Sequence, residues 1–317
     1  MHNKIRIYTR PEQIPGLEHG SAVTIGNFDG VHLGHQTIVR RAMAQGLPAV
    51  VMTFEPHPRE FFDPARAPAR LSSLREKAAA LETLGLERLL CLPFRRQLAE
   101  LSPEDFVSRI LVQGLHARWV LVGHDFRFGG QRRGDLALLE RLGARHGFQV
   151  AVTPPVCLDG ERISSTGLRQ HLAAGELARA ERELGRPYAI CGRVVHGDKR
   201  GRALGFPTAN LPLYGRKPVM TGVFAVLAET SDGRRLPAVA NLGTRPTVDG
   251  ARAVLEVHVL DGAPDLYGQR LFVHFLCKIR AERRFSGLDE LKNQIARDVQ
   301  EARALFQSPA LRQNHGL

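Results

Sequence analysis

The chain has 317 residues but only four cysteines, Cys91, Cys157, Cys191 and Cys277, and no two of them stand in a CxxC spacing. That argues against a disulfide framework or a zinc site, and the apolar neighbourhood of each predicts a buried free thiol. Aromatic residues make up 6% of the chain, with a single tryptophan, which leaves little surface for stacking nucleobases. No run approaches the roughly 18 apolar residues that a membrane-spanning helix needs. The segment Met1 to Tyr8 lacks the apolar stretch and cleavage site of a signal peptide, so a cytoplasmic location is expected. Neither the GxxxxGK[ST] phosphate loop nor the GxGxxG dinucleotide fingerprint occurs.

What is present is positive charge. Lysine and arginine total 44 against 32 acidic residues, a net charge of +12, which implies an anionic partner: nucleic acid, lipid headgroups or nucleotide phosphates. The basic residues are spread along the chain, so charge alone does not choose among these. A hydrophobic content of 43% with 24% charged residues describes an ordinary globular protein, and the length predicts two domains.

Glycine-rich polar stretches punctuate the pattern. The longest, Arg193 to Leu211, reads RVVHGDKRGRALGFPTANL. Its glycines Gly197, Gly201 and Gly205 allow close backbone approach, Lys199 and its basic neighbours neutralise anions, and after Pro207 the hydroxyl of Thr208 and the amide of Asn210 bring hard oxygen ligands suited to Mg²⁺. The run is expected to lie outside any core. On composition alone it serves equally as a polyphosphate site or as a solvated hairpin loop.

In the first half, Val23 to Ile25 reads as the end of a strand that enters GNFDGVHLGH at 26–35, and a helical pattern follows through Met43. Strand, glycine loop and helix in that order make a phosphate cradle from Gly26, Asn27, Phe28, Asp29, Gly30 and Gly34. His32 and His35, three apart, can aim imidazole donors from one face. Strands are predicted at 49–54, 89–92, 119–122 and 150–152, with helices at 74–84, 103–115 and 137–146, an α/β alternation that gathers the loops after the strands at one sheet edge. Those loops include Phe54 and Pro56, exposed Phe61 and Phe62, and GHDFRFGG at 123–130 with Asp125, Phe126 and Phe128, surfaces that suit a planar aromatic ligand. At 163–169, ISSTGLR offers Ser164, Ser165, Thr166 and Arg169 at a helix start.

Helical pairs at 166–173 and 176–184 end at Gly185-Arg186-Pro187, where the period changes from 3.6 to 2. Strands are predicted at 188–195, 222–230, 235–242, 253–260 and 270–279, with a hairpin turn at 231–233 and a terminal helix at 288–306. The fold class is therefore α/β plus β: an N-terminal domain, 1–186, with a Rossmann-like parallel sheet, and a C-terminal domain, 187–317, forming a small antiparallel β-barrel with a terminal helix.

GNFDGVHLGH resembles the HxGH motif, and ISSTGLR the ISSTxxR motif, of the nucleotidyltransferase superfamily. GFPTAN, GVFA at 222–225, NLGTRPT at 241–247, LEVHVLD at 255–261, DLYG at 265–268 and the 278–285 segment resemble the riboflavin kinase module. Both occur in the bacterial bifunctional riboflavin kinase/FAD synthetase family, whose pattern covers nearly the whole chain in order. The resemblance implies that riboflavin, FMN, FAD and ATP are substrates or products, that Thr208 and Asn210 hold Mg²⁺ and the ATP phosphates, and that Glu256 is the general base of the kinase. On its own pattern, Glu256 is equally a barrel-surface glutamate. The resemblance further implies that His32, His35 and Arg169 serve adenylyl transfer, and that the loops after the strands, with Arg280, contact flavin. Gly262-Ala263-Pro264 departs from the family and is expected to alter flavin contacts. A nucleic-acid partner is not expected, since no KMSKS-like segment or RNA-reading signature accompanies the first motif. No membrane partner is expected either.

Overall fold

The computed structural model describes residues 4–197, 201, 204–247, 250–262 and 264–315. Contacts divide the chain into two compact units, one of residues 1–68 and 74–165, the other of 69–73 and 166–317.

In the first unit six parallel strands form a sheet: β1 (Arg6–Tyr8), β2 (Ser21–Ile25), β3 (Ala49–Glu55), β4 (Arg88–Pro93), β5 (Ala117–Gly123) and β6 (Gln149–Thr153), in the order β1-β4-β3-β2-β5-β6. All five residues of β2 are buried, as expected where helices cover both faces of a parallel sheet. Val50 and Met52 point into one core cluster, and Val51 between them points into the other. The chain winds outward from β2 in one direction through β3 and β4, and in the other through β5 and β6. The loops after β2 and β5 therefore flank the switch point where ligands enter such sheets.

The helices follow their local signals. Asp135 caps Leu136–His146 by accepting from the Leu138 N–H at 2.9 Å, and Gly147, at φ 78°, ends it. Ser102 caps the helix predicted at 103–115, which turns from α to π geometry over Phe106–Gly114. A short hairpin of β7 (Cys157–Leu158) and β8 (Glu161–Arg162) corrects one expectation. All four cysteines are free thiols, but only Cys91 is buried; Cys157 is exposed, because its strand pairs with nothing but its hairpin partner.

The second unit is a six-stranded antiparallel sheet of β9 (Tyr188–Arg193), β10 (Ala209–Pro212), β11 (Gly222–Thr230), β12 (Arg235–Thr247), β13 (Gly250–Val259) and β14 (Arg270–Arg280), ordered β10-β13-β12-β11-β14-β9. The Val195 N–H, just past β9, donates to the Asn210 carbonyl at 2.9 Å, so the two edge strands meet and the sheet closes into a barrel. Phe224, Val226, Leu242, Leu255, Val257 and Phe275 fill its interior. Outside, Leu288–Gln307 buries Ala302 against Val223, Ala225 and Val239.

One feature differs from the sequence reading. The run 193–211 was expected to lie outside any core, yet Ala209, Asn210 and Leu211 are buried, because they form strand β10. Helices Ser165–Ala174 and Leu177–Leu184 place Leu168, Leu172, Leu177, Ala180 and Leu184 in the core cluster of the second unit.

Two candidate active sites

The first site is built where β2 ends. Gly26 to Gly30 turn sharply: Phe28 and Val31 hold left-handed backbone at φ 47° and 45°, and Gly30 at 85°. Left-handed geometry at a β-branched residue such as Val31 costs on the order of 1–3 kcal/mol and persists only where packing over-determines it. Here Phe28 is 2% exposed and Val31 fully buried. His32 is the N-cap of Leu33–Met43, its Nδ1 accepting from the His35 N–H at 3.3 Å. That bond assigns the proton to Nε2, leaving it as a donor. The imidazoles of His32 and His35 stack with centroids 3.6 Å apart, and Phe28 packs edge-on against His35 at 5.2 Å. Gly34 gives this stack room, since a Cβ there would stand 3.2 Å from the His32 ring and crowd it.

The two sequence motifs meet at one point. The Ser165 hydroxyl donates to the carbonyl of Asp29 at 2.8 Å, which ties the second motif to the glycine loop. Thr166 and Arg169 fall in the second unit, where Arg169 Nε donates to the Ala69 carbonyl at 2.6 Å. Ser164 lies just ahead of the helix.

Of the aromatic candidates, Phe54 and Phe62 both pack edge-on against Phe94 at 5.8 Å, with Phe61 at 5.4 Å. Phe62 is 64% exposed, so the cluster offers a wet aromatic face beside Pro56. Phe94 was not among the sequence candidates; it lies just beyond β4 and its place became visible only through strand order. Phe126 is half-buried and stacks on Phe128 at 5.5 Å, but Phe128 itself is buried against Phe106 and belongs to the core. Asp125 pairs with Arg162 at 3.1 Å. Partial burial pushes its carboxyl up, yet the Arg162 hydrogen bond and charge, aided by His124, hold it below the usual range.

The second site follows from strand register. Asn210 of β10 and Asn241 of β12 both stand opposite Glu256 of β13, so the three side chains share one row and one face. Their neighbours Leu211, Leu255, Val257 and Leu242 point into the barrel, so the row lies on its outer face, with Asn210 at 9% exposure and Glu256 half-buried. Gly197 lies directly on this row: a Cβ there would meet the Asn210 amide at 2.5 Å. One at Gly201 would meet the Thr208 hydroxyl at 3.2 Å, and Gly205 turns the chain at φ 90°. Lys199 lies outside the described residues.

His258, two residues past Glu256, donates from Nδ1 to the Pro207 carbonyl at 2.9 Å and so holds the Pro207–Asn210 segment against β13. The period of two in LEVHVLD is the signal that could have found it. A small open pocket lies beside the inward-facing Val257 and Val259, with Thr208, Gly262, Pro264 and Tyr267 on its wall. Thr208 borders the pocket while Asn210 and Glu256 face outward, so this segment wraps the barrel rim.

Two charged residues complete the outer face. Arg280 is engaged by Asp298, its Nε and Nη2 donating to the two carboxylate oxygens at 2.8 and 2.7 Å. This pins the terminal helix to β14. The Glu282 carboxyl occupies the space that a side chain at Gly243 would take, and burial pushes it above the usual carboxylate range despite the nearby Arg280 charge.

What the Asn210 amide leaves open can be tested for a metal. Its Nδ2 donates to the Thr208 carbonyl at 3.3 Å, so the nitrogen is engaged and Oδ1 is the amide's acceptor. Two neutral hard oxygens fit Mg²⁺ shared with substrate phosphates. Among the described residues no group of three or more His, Cys, Asp or Glu could hold a metal by itself.

A histidine-bearing phosphate loop at a parallel-sheet switch point, followed by a barrel carrying a hydroxyl, an amide and a carboxylate, defines a two-site enzyme of phosphate transfer. The FAD synthetase family model matches residues 15–167, and the riboflavin kinase model residues 184–306. Bifunctional riboflavin kinase/FMN adenylyltransferases of Escherichia coli (strain K12) and Pseudomonas fluorescens are 50% and 51% identical, over 91% of this chain and 94% of theirs. The chain belongs to this bifunctional riboflavin kinase/FMN adenylyltransferase family. A solved Streptococcus pneumoniae structure, titled a macrolide-efflux protein, is also similar, with a TM-score of 0.77 and 31% identity over 95% of this chain and 99% of that one. Among the described residues here, no helix is long and apolar enough to cross a membrane.

Proposed function

We propose that this chain makes FAD from riboflavin in two ATP-dependent steps, the second unit phosphorylating riboflavin to FMN and the first joining FMN to AMP. The observation that carries the reading is that the two family models fall, in order, on the two sites just built. We assign the adenylyltransferase domain to 1–186 and the kinase domain to 187–317, within a cytoplasmic enzyme that acts on flavins and ATP. The first family model ends at 167 and the second begins at 184, which supports a boundary in this region.

In the kinase step a ribityl hydroxyl of riboflavin attacks the γ-phosphorus of ATP. The new O–P bond forms as the bond to the β-phosphate oxygen breaks, and the hydroxyl proton passes to the Glu256 carboxylate. Thr208 and Asn210 would hold Mg²⁺, which when bound neutralises phosphate charge. Gly197 and Gly201 admit the polyphosphate by bringing backbone against Asn210 and Thr208. His258 keeps that segment in place.

In the adenylyl step an FMN phosphate oxygen attacks the α-phosphorus of ATP, and pyrophosphate leaves. No covalent enzyme intermediate is needed. The loop Gly26 to Gly30, the ring donors of His32 and His35, and Ser165 orient and neutralise the phosphates. The Phe54, Phe62 and Phe94 cluster, with Phe126, supplies aromatic faces for the isoalloxazine.

Incubation with riboflavin, ATP and Mg²⁺, followed by chromatography, should yield FMN and then FAD. His35→Ala should abolish conversion of supplied FMN to FAD and leave riboflavin phosphorylation nearly intact, while Glu256→Gln should abolish riboflavin phosphorylation and leave conversion of supplied FMN to FAD nearly intact. Loss of both activities from either variant, in a folded protein, would overturn the assignment of separate sites.

A further inference from the structure

The helix Leu74–Glu82 packs one stripe against the first unit's sheet: Leu74, Ala78 and Leu81 join a core cluster with Val51 and Leu89. That stripe runs i, i+4, i+7, and the position i+3 belongs to it as well. The residue there is Lys77, only 4% exposed. A lysine where the pattern calls for an apolar residue is a local conflict of the kind that marks function, because burying an ammonium costs several kcal/mol, by order of magnitude, unless it is hydrogen-bonded.

Its bond has a direction. Lys77 Nζ donates to the hydroxyl of the fully buried Thr53 at 2.9 Å. Ammonium groups only donate, so the Thr53 oxygen accepts, and its own hydrogen is free for the Asn27 carbonyl at 3.2 Å. Thr53 lies near the C-terminal end of β3, next to β2 in the sheet, and Asn27 is in the glycine loop after β2. The relay thus runs from a buried cation through a strand to the peptide that precedes Phe28, one of the left-handed residues of the loop.

We propose that Lys77 is a positioning residue of the adenylyl-transfer site, acting through Thr53 to fix the loop that receives the ATP phosphates. The proposal rests on the reading of the 26–35 loop given above. Lys77 does not touch the reacting atoms. It sets the orientation of the Asn27 peptide and places one buried positive charge behind an anion site, where preorganised charge counts most.

The test uses the full-length protein. Thr53→Val keeps the volume and removes the hydroxyl; Thr53→Ser restores it. With misplacement of order 1 Å costing about 100-fold in rate, Thr53→Val should lower kcat for FMN adenylylation by about 10- to 100-fold with KM for ATP changed less than about threefold. Thr53→Ser should recover most of the loss, and riboflavin phosphorylation in the same preparation should stay unchanged. Lys77→Met should match Thr53→Val; if it fails to fold, the threonine pair decides alone. The proposal is overturned if Thr53→Val keeps kcat within threefold of wild type, if the loss lies in KM alone, or if serine fails to rescue it. His35→Ala is the control: retention of FAD synthesis there would sink the site reading itself, whereas its loss alongside an active Thr53→Val sinks only the relay.

Discussion

Removing the Arg280 guanidinium should destabilise the second unit without touching the kinase chemistry directly. Asp298 accepts two bonds from Arg280, at 2.8 and 2.7 Å, and a third from Gln294 at 2.8 Å, while its side chain is only 4% exposed. Arg280→Met strands that carboxylate in the helix–barrel interface. Breaking a buried pair on one side costs about 3–5 kcal/mol, and the 20% exposure of the Arg280 side chain places this case at the lower end. At about 2–4 °C per kcal/mol for a unit of this size, the melting temperature should fall by roughly 9 °C. The double variant Arg280→Met, Asp298→Leu should recover at least half of that, because no charge is left buried. The single tryptophan, Trp119, lies in β5 of the first unit, so its fluorescence is the internal control. Amide exchange over β11 and β14 gives the reading for the second unit. A single variant melting within about 2 °C of wild type, while KM for riboflavin rises, would refute the argument and return Arg280 to the flavin site.

Gly34→Ala should lower adenylylation by about two- to fivefold with little change in melting temperature, because its Cβ would crowd the stacked His32 ring; conversion of supplied FMN to FAD reads this out. Gly197→Ala should lower riboflavin phosphorylation alone, by at least about tenfold, since its Cβ would push into the Asn210 amide. Burial, outweighing the nearby Glu229 carboxylate, holds His274 below its ordinary value of 6.5. The folded state therefore binds fewer protons than the unfolded chain below that value, so stability present above pH 6.5 is lost as pH falls toward the lowered folded pKa, and urea midpoints of His274→Asn should fall less between pH 7.5 and 5.5.

Much of the fold is legible in the sequence because it is written in local terms. Gly222 to Thr230 is a strand in both readings, and Gly185, at φ 69°, ends a helix where the period changes. The His32 to His35 constellation is legible for the same reason: capping residue, glycine and second histidine all lie within one turn. What local pattern does not carry is register and rim. Strand β10 hides in a basic glycine run, and only its pairing with β13 makes Asn210 a buried strand residue. Asn241 lies in a segment that resembles the kinase module, but its place in the site shows only in its standing opposite Glu256. Phe128 and Phe126 look alike in a loop, and packing against Phe106 sends one into the core. Lys77 was hidden by the strength of the helical stripe around it.

The outward placement of the proposed kinase row follows from the packed interior of the barrel. Six strands close around an interior that Phe224, Leu255, Val257 and Phe275 fill, so a carboxylate pointing inward would lose its hydration with nothing to replace it. Chemistry on such a barrel has to sit on the outer face or at the rim, and it then needs a cover to limit water. The glycine run supplies one at Gly197, where backbone rests on Asn210, and Glu282 lies over Gly243 on the same side. The period of two makes the arrangement strict, because a slip of one residue in β13 would bury Glu256 and expose Leu255 and Val257. Apolar burial of those two neighbours is therefore what aims the proposed base, and core stability and catalytic geometry on this strand are set by the same three consecutive residues.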